Sequence, residues 1–505
     1  MDDKQTKSSH QEHISPIAFE QQTLPIPDEL SHLDDEALRR LETSAVRRLD
    51  TFLLPSVILL FLLNILDRNN IASAKIVQLP RDLKLKNSEY NTCLMIFYVG
   101  YVLTQVPSNL LITRIRPSIY LSSVVAAWAV VSLCQGFVQD FVGLLLARFV
   151  LGLVEGPFLP GVFFLLSCWY KRCELPPRIA FLYGANMLAS AFGGLIAAGI
   201  TSRMENVLGK AAWRWLFIIE GSVTFFVALV IWPFLPDYPL RTRRFWLSGE
   251  QQVVVEWRIR NENAGIVDDE EESMRDGLKQ ALMDPKLYMF IVLQMSLLTA
   301  QSWNNFFPSI VGTLGFNSTI TLLLTAPPYM FAFFCSLGLS FHAAAKKERG
   351  YHIAASMTMA LIGNLLAMFV PTIGARYFAM MLLAAGSYSP YNLCVSWLSS
   401  TLPRPRAKRA AALAIVNLMG AGVAHFYTAY MFPDSQKPRY YAGGGIMSGA
   451  CVVCAGMAFG IKAYLARQNK IIEQREIQEG QDVGKVLGKV SGMADKAVVT
   501  FRYVT

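Results

Sequence analysis

The hydrophobic residues of this chain gather in runs of about 20 residues, each long enough to cross a hydrocarbon core of roughly 30 Å as a helix. Six runs occupy residues 52–76, 90–113, 118–137, 140–167, 178–202 and 213–236, and six more occupy 286–311, 319–342, 352–371, 374–401, 409–432 and 441–465. In lipid every backbone polar group must be satisfied within the segment, so such runs are read as helices. The pattern predicts an all-α membrane protein of twelve transmembrane helices in two six-helix halves, 52–236 and 286–465. Polar tails at 1–51 and 466–505 flank them, and a polar interval at 237–285 divides them. That interval has room for short helices but not for a typical soluble catalytic domain. Residues 1–50 lack the short apolar core of a secretory signal and are expected to be disordered up to the first run.

Polar residues inside these runs mark where function is to be sought. In the fourth, residues 148–161 place Arg148, Glu155, three glycines, Pro157 and Pro160 in the middle of apolar sequence. On a helix Arg148 and Glu155 share a face to within about 20° but lie roughly 10 Å apart along the axis, too far to neutralise each other directly. Gly152 and Gly156 form a small-residue flank where a neighbouring backbone can approach, and the two prolines interrupt the helix. Ionisable residues in a membrane point to function by default, the competing reading being a kinked packing helix whose charges find partners on its neighbours.

The first run ends with Asn64, Asp67 and Arg68 at i, i+3 and i+4, a polar face that requires a cavity or a partner. In the seventh, Gln294, Gln301, Asn304 and Asn305 form one stripe on an apolar helix, suited to hydrogen bonding a solute or a neighbouring helix. Pro327 and Pro328 should bend the eighth run. The tenth run carries Tyr388 and Asn392, and the eleventh carries Asn417 and His425, the last either a proton shuttle or a structural residue.

Composition agrees with the pattern: 53% hydrophobic and 16% charged residues is too apolar for a soluble protein of 505 residues. The net charge of +9 needs no nucleic acid. Arg39, Arg40, Arg47, Arg48, Arg114, Arg116, Lys171, Arg172, Arg178, Arg241, Arg243, Arg244, Lys346, Lys347, Arg349, Arg404, Arg406, Lys408 and Arg409 all flank one set of run ends. By the positive-inside bias that side is cytoplasmic, with both termini on it and the anionic leaflet beside it. Lys75, Arg81, Lys84 and Lys86 break the bias on the other side, where Arg376, Lys437 and Arg439 also lie. Most cysteines lie within runs, giving no disulfide signal. Asn317, Ser318 and Thr319 form a sequon close to the bilayer. The six histidines show no paired metal-ligand spacing and no nucleophile, base and orienting group can be assembled, so no metal, cofactor or enzymatic role is expected.

With these residues in view the chain resembles the major facilitator superfamily over residues 50–467. Arg148, Gly152, Gly156 and Pro160 match that superfamily's RxxxGxxxGxxxP motif on the fourth span. More narrowly it is similar to the fungal allantoate permease group of the anion:cation symporters. The stretches that carry this are Leu66, Asp67, Arg68, Asn69, Asn70 and Ile71; Gln105 to Leu111, reading Gln-Val-Pro-Ser-Asn-Leu-Leu; Glu155; Trp169 and Tyr170; Pro438, Arg439 and Tyr440; and the ending Phe501, Arg502, Tyr503 and Val504. Two departures stand out. The superfamily's acidic Gly-x-x-x-Asp-Arg loop is absent around residues 113–117, and Ala344 and Ala345 replace Asp and Arg at its counterpart before Lys347.

The resemblance implies import of a small carboxylated solute with protons, across what is expected to be the plasma membrane. On that reading the halves rock about a midplane site. Arg148 supplies the positive charge, Gln294, Gln301, Asn304, Tyr388 and Asn392 orient the organic anion, and Glu155 or Asp67 carries the proton. The alternatives are an exporter of a secondary metabolite or toxic compound on the same fold, and a nutrient sensor that binds without transporting.

Overall fold

The computed structural model describes residues 25–112, 115–171, 174–237, 247–264, 274–402 and 406–487, and among these there is helix and turn but no strand. The principal helices of the first part are α1 (Asp35–Ile76), α2 (Asn87–Ile112), α3 (Pro117–Gln135), α4 (Phe141–Glu155), α5 (Phe158–Trp169), α6 (Leu175–Arg203) and α7 (Ala212–Ile231). The connecting interval holds α8 (Gly249–Ala264) and α9 (Met274–Met283). There follow α10 (Pro285–Ala300), α11 (Phe307–Gly312), α12 (Ser318–Leu323), α13 (Ala326–Lys346), α14 (Gly350–Phe369), α15 (Ile373–Tyr388), α16 (Pro390–Thr401), α17 (Arg406–Asn417), α18 (Ala424–Thr428) and α19 (Tyr441–Leu487). Arg114, Arg172, Arg241, Arg243, Arg244, Arg404, the acidic run 268–272 and the ending from Phe501 lie outside the described residues.

Among the described residues nine helices are long and apolar enough to cross a membrane, α4 with α5, α12 with α13 and α17 with α18 each counting as one. A bent pair, Arg275–Met283 and Pro285–Gly312, meeting at 78°, would make a tenth. α2 and α15 pack against these. Within the first part α1 lies on α6, α2 on α4 and α3 on α7; within the second, α14 lies on α15 and α19, and α10 on α19. α6 meets α13, and α2 meets the π-helical turn Leu418–Val423, so the two groups face each other across those helices.

Helix breaks follow the sequence closely in some places and not in others. α4 ends at Glu155 and α5 restarts after Pro157, the interruption its prolines predict. The seventh run, expected as one helix, turns into a 3-10 segment at Ser302–Phe306 and then α11. Pro327 and Pro328 stand in the first turn of α13 and start a helix rather than bend one, because a proline there lacks an N–H that has no partner anyway. The tenth run breaks at Ser389, between α15 and α16.

The amino-terminal segment departs from the expectation of disorder up to residue 51. α1 begins at Asp35, capped by the Asp34 carboxylate accepting from the Ala37 amide at 2.7 Å. Leu38 packs with Leu30 and with Val254 of α8, so burial of one apolar stripe holds what polarity alone would leave unfolded. Beside it Arg178 grips Asp50 through two bonds of 2.7 and 2.6 Å, and the buried Arg258 of α8 donates to both Glu174 oxygens and to the Trp169 carbonyl. Together these clamp the first turns of α1, the α5–α6 junction and α8 to one another.

Candidate functional site

Close contact of α2 with α4 places the charges. A Cβ on Gly152 would stand 2.0 Å from the Phe97 carbonyl oxygen, and one on Gly156 would stand 2.5 Å from that of Tyr101. Only glycines allow α4 to lie this near α2, which brings Glu155, at the last turn of α4, level with the Phe97 and Tyr101 rings. The Arg68 guanidinium lies over both rings, 5.1 Å from one centroid and 5.0 Å from the other, the two rings standing side by side with centroids 5.9 Å apart. Arg68 donates to Glu155 Oε1 through Nε at 2.8 Å and also through its terminal nitrogen, a paired contact with a carboxylate that is itself 1% exposed. The second Glu155 oxygen has no protein partner.

Arg68 borders a cavity of about 150 Å³ between the two groups of helices. From the first group come Asn69, Tyr98, Tyr101, Tyr183 and Asn186; from the second come Gln301, Asn304, Asn305, Tyr388, Tyr391, Asn392, Asn417 and His425. Among the described residues Arg68 is the one arginine or lysine in this wall, and no carboxylate lines it. His425 stacks on Tyr98 with ring centroids 3.8 Å apart. Gln301 is oriented by its amide bond to the Ser387 carbonyl at 2.6 Å, and Asn304 accepts from the Tyr329 hydroxyl. The Asn392 side-chain oxygen is buried without a protein partner.

Of the residues given a binding or proton-coupling role from sequence, Gln301, Asn304, Tyr388 and Asn392 line this cavity, and Gln294, Arg148, Glu155 and Asp67 do not. Gln294 is packed against Gly420 of the π-helical turn, a Cβ on which would meet its side chain at 2.5 Å. Gln294 and Gln301 lie on the same regular helix, so the separation is along its axis: seven residues put Gln294 about 10 Å from Gln301 and level with the π-helical turn. Arg148 is 2% exposed and lies behind Arg68, donating to the Arg68 carbonyl at 3.3 Å, with two other guanidinium nitrogens unpartnered in protein. Glu155 is likewise behind Arg68 rather than in the wall. Asp67 turns away altogether, accepting from Trp128, Ser132 and Thr224 at 3.2, 3.0 and 3.1 Å in the seam of α1, α3 and α7.

Sequence reasoning missed Arg68 as a site residue and missed Glu220, a buried carboxylate on α7 that accepts from Asn70 at 2.7 Å. The signal for Arg68 was present: successive residues on a helix point about 100° apart, so Asp67 and Arg68 cannot share one environment, and Asn64 and Arg68 at i and i+4 form the face. Glu220 stands alone between apolar residues and offered only its position in a span. Among the described residues no group of three His, Cys, Asp or Glu side chains is placed to hold a metal ion.

Known proteins place this arrangement. The sequence profile of the Major Facilitator Superfamily matches residues 57–429. The MFS-type transporter cnsO of Penicillium expansum is 31% identical over 447 residues, 86% of this chain and 85% of that one. The major facilitator-type transporter hxnP of Emericella nidulans is 30% identical over 467 residues, 91% of each. Among solved structures, an inward-facing bacterial homologue of the human lysosomal transporter Spinster superposes with a TM-score of 0.61 at 15% identity, covering 81% of this chain and 96% of that one. The D-xylose–proton symporter also reaches 0.61 at 14% identity, over 80% and 96%. The likeness to the solved structures is one of fold, and the sequence match to the profile and relatives is one of family: this chain belongs to the major facilitator superfamily of membrane transporters.

Proposed function

We propose that the protein imports a small organic anion together with protons, by alternating exposure of the central cavity. The observation that carries this is the Arg68–Glu155 pair: the cavity's one guanidinium is held by a carboxylate that stands outside the wall. An incoming carboxylate must compete with Glu155 for Arg68. When Glu155 takes up a proton its claim on Arg68 weakens, so proton and anion each favour binding of the other, and linkage makes the effect reciprocal. Such a sign suits symport, whereas an exporter driven by inward proton flow needs the two to compete. Arg148, behind Arg68, adds positive field and holds the Arg68 main chain. The amides of Gln301, Asn304 and Asn392 and the Tyr388 hydroxyl provide neutral hydrogen-bonding groups for the rest of a polar solute.

The allantoate permease resemblance supports a carboxylated nutrient as the cargo, and the basic run ends support cytoplasmic termini in a plasma-membrane protein. Proteoliposome uptake of a panel of labelled monocarboxylates, with external pH varied, tests the reading. Uptake by the wild type should rise as external pH falls, and E155Q should transport with a flat pH profile. An E155Q variant that keeps the wild-type pH dependence would overturn the coupling role, and efflux driven by an inward proton gradient would reverse the direction.

A further inference from the structure

A second cavity, of about 40 Å³, lies apart from the central one and shares none of its lining residues. It is lined by α14, α15, the start of α19, the segment before α19, and Trp303, Phe307 and Ile310 of the seventh run. Two arginines face it, Arg376 from the first turn of α15 and Arg439 from the loop, and its lining contains no Asp or Glu. Among the described residues neither guanidinium has a carboxylate partner. Arg376, 7% exposed, donates to the Thr313 hydroxyl at 2.9 Å and to the Pro438 carbonyl at 3.4 Å, and its Nε is buried without any partner in the protein. Arg439 donates to the Met368 and Val370 carbonyls at 2.7 and 2.9 Å.

Two like charges brought to one small space repel each other, and carbonyl oxygens satisfy donors without neutralising charge. A cavity of this size exceeds what one water requires, and forked donors match tetrahedral oxyanions. We infer that Arg376 and Arg439 form a binding site for a phosphate group, separate from the central transport cavity. The group is either free inorganic phosphate or the phosphate of a lipid headgroup. These are also two of the basic residues that the charge bias of the flanking loops leaves unexplained, and an anion between them accounts for both. The inference does not depend on the proposed cargo or coupling.

The test uses the purified full-length protein in a lipid-free neutral detergent, with thermal unfolding followed at constant ionic strength set by sodium chloride. One arm titrates inorganic phosphate; the other titrates short-chain phosphatidic acid against diacylglycerol of the same chain length. Occupancy should raise Tm by about 2 °C or more at saturation. A rise with inorganic phosphate identifies the free anion, and a rise with phosphatidic acid alone identifies the headgroup. R439Q should abolish the rise, and R376K, which keeps the charge but loses the planar fork, should weaken half-saturation about tenfold. R376K keeps the test readable where R376Q fails to fold. No shift with either probe, or an equal shift in wild type and R439Q, overturns the site.

Discussion

At the scale of single residues, the chemistry turns on adjacent side chains of α1 with opposite surroundings. Arg68 lies over two aromatic rings at the cavity edge, while Asp67 is sealed against three donors. Replacing Arg68 with Lys keeps the charge but removes the paired donors, and a charge-assisted hydrogen bond is worth about 1.5–3 kcal/mol. R68K should therefore raise the apparent KM for the anion by roughly tenfold or more while the protein still folds, read from uptake kinetics. Asp67→Asn should act differently. An amide nitrogen would face one of three donors, costing about 1–3 kcal/mol of stability, and Tm should fall while the pH profile of the remaining uptake is unchanged. The polar stripe of Asn64, Asp67 and Arg68 was legible in the sequence, and so was the presence of Glu155. The spacing of Asn64 and Arg68 separated their face from Asp67; what it could not settle was that this face, and not Asp67, turns to the cavity, because that depends on how α1 packs against α6 and α7.

Among the elements, the α2–α4 contact sets the position of Glu155. Gly152→Ala would force a methyl to 2.0 Å from the Phe97 carbonyl, a backbone atom that cannot step aside alone. Overpacking of this kind costs about 1–3 kcal/mol, so G152A should lower Tm and weaken uptake by moving Glu155 away from Arg68, with the pH dependence shifted as well. The small-residue flank and the proline break of the fourth run could be read directly, since sterics of glycine and proline act locally. The break at Gln301 could not. Pro308, which cannot donate to the Asn304 carbonyl, signals a break in this run but not where it begins, and the 3-10 segment is held by tertiary contacts such as the Trp303 indole donating to the Ser387 hydroxyl at 3.1 Å. The π-helical turn Leu418–Val423 was equally hidden, although Gly420 and Gly422 lie within it and Asn417 and His425 on either side line the cavity.

For the molecule as a whole, six apolar runs, a polar interval and six more runs gave the membrane character and helical class, because hydropathy over 20 residues is nearly independent of packing. The contacts between the two groups were not legible. One of them joins Lys75, at the end of α1, to Asp434 in the loop before α19, at 3.3 Å. Lys75 also sits 4.5 Å from the Tyr90 ring centroid, which gives an account of one basic residue that breaks the charge bias. Burial pushes the Asp434 carboxyl up, but the ammonium groups of Lys75 and Lys437 outweigh it and hold the carboxyl below its ordinary range. A depressed carboxyl stabilises the closed arrangement above its usual titration range and loses that contribution as pH falls through the lowered value. Acidification should therefore loosen this end only below the ordinary range of an aspartate. Removing the charge with D434N costs about 1 kcal/mol, roughly a fivefold loss of the closed population. Spin labels at Arg81 and Ser435 should show the added longer distances at neutral pH; an unchanged distribution would remove the pair from gating.

The continuity of α1 has its own consequence. At about 1.5 Å per residue, its 42 residues run roughly 63 Å from the α8 clamp to Lys75, with Pro55 removing one backbone hydrogen bond on the way. Movement at the Lys75 end reaches the amino-terminal turns only through Pro55, where the helix can hinge. A fluorophore just ahead of Asp34 and a quencher on α8 would then report whether that movement is passed on to the clamp or absorbed at the proline.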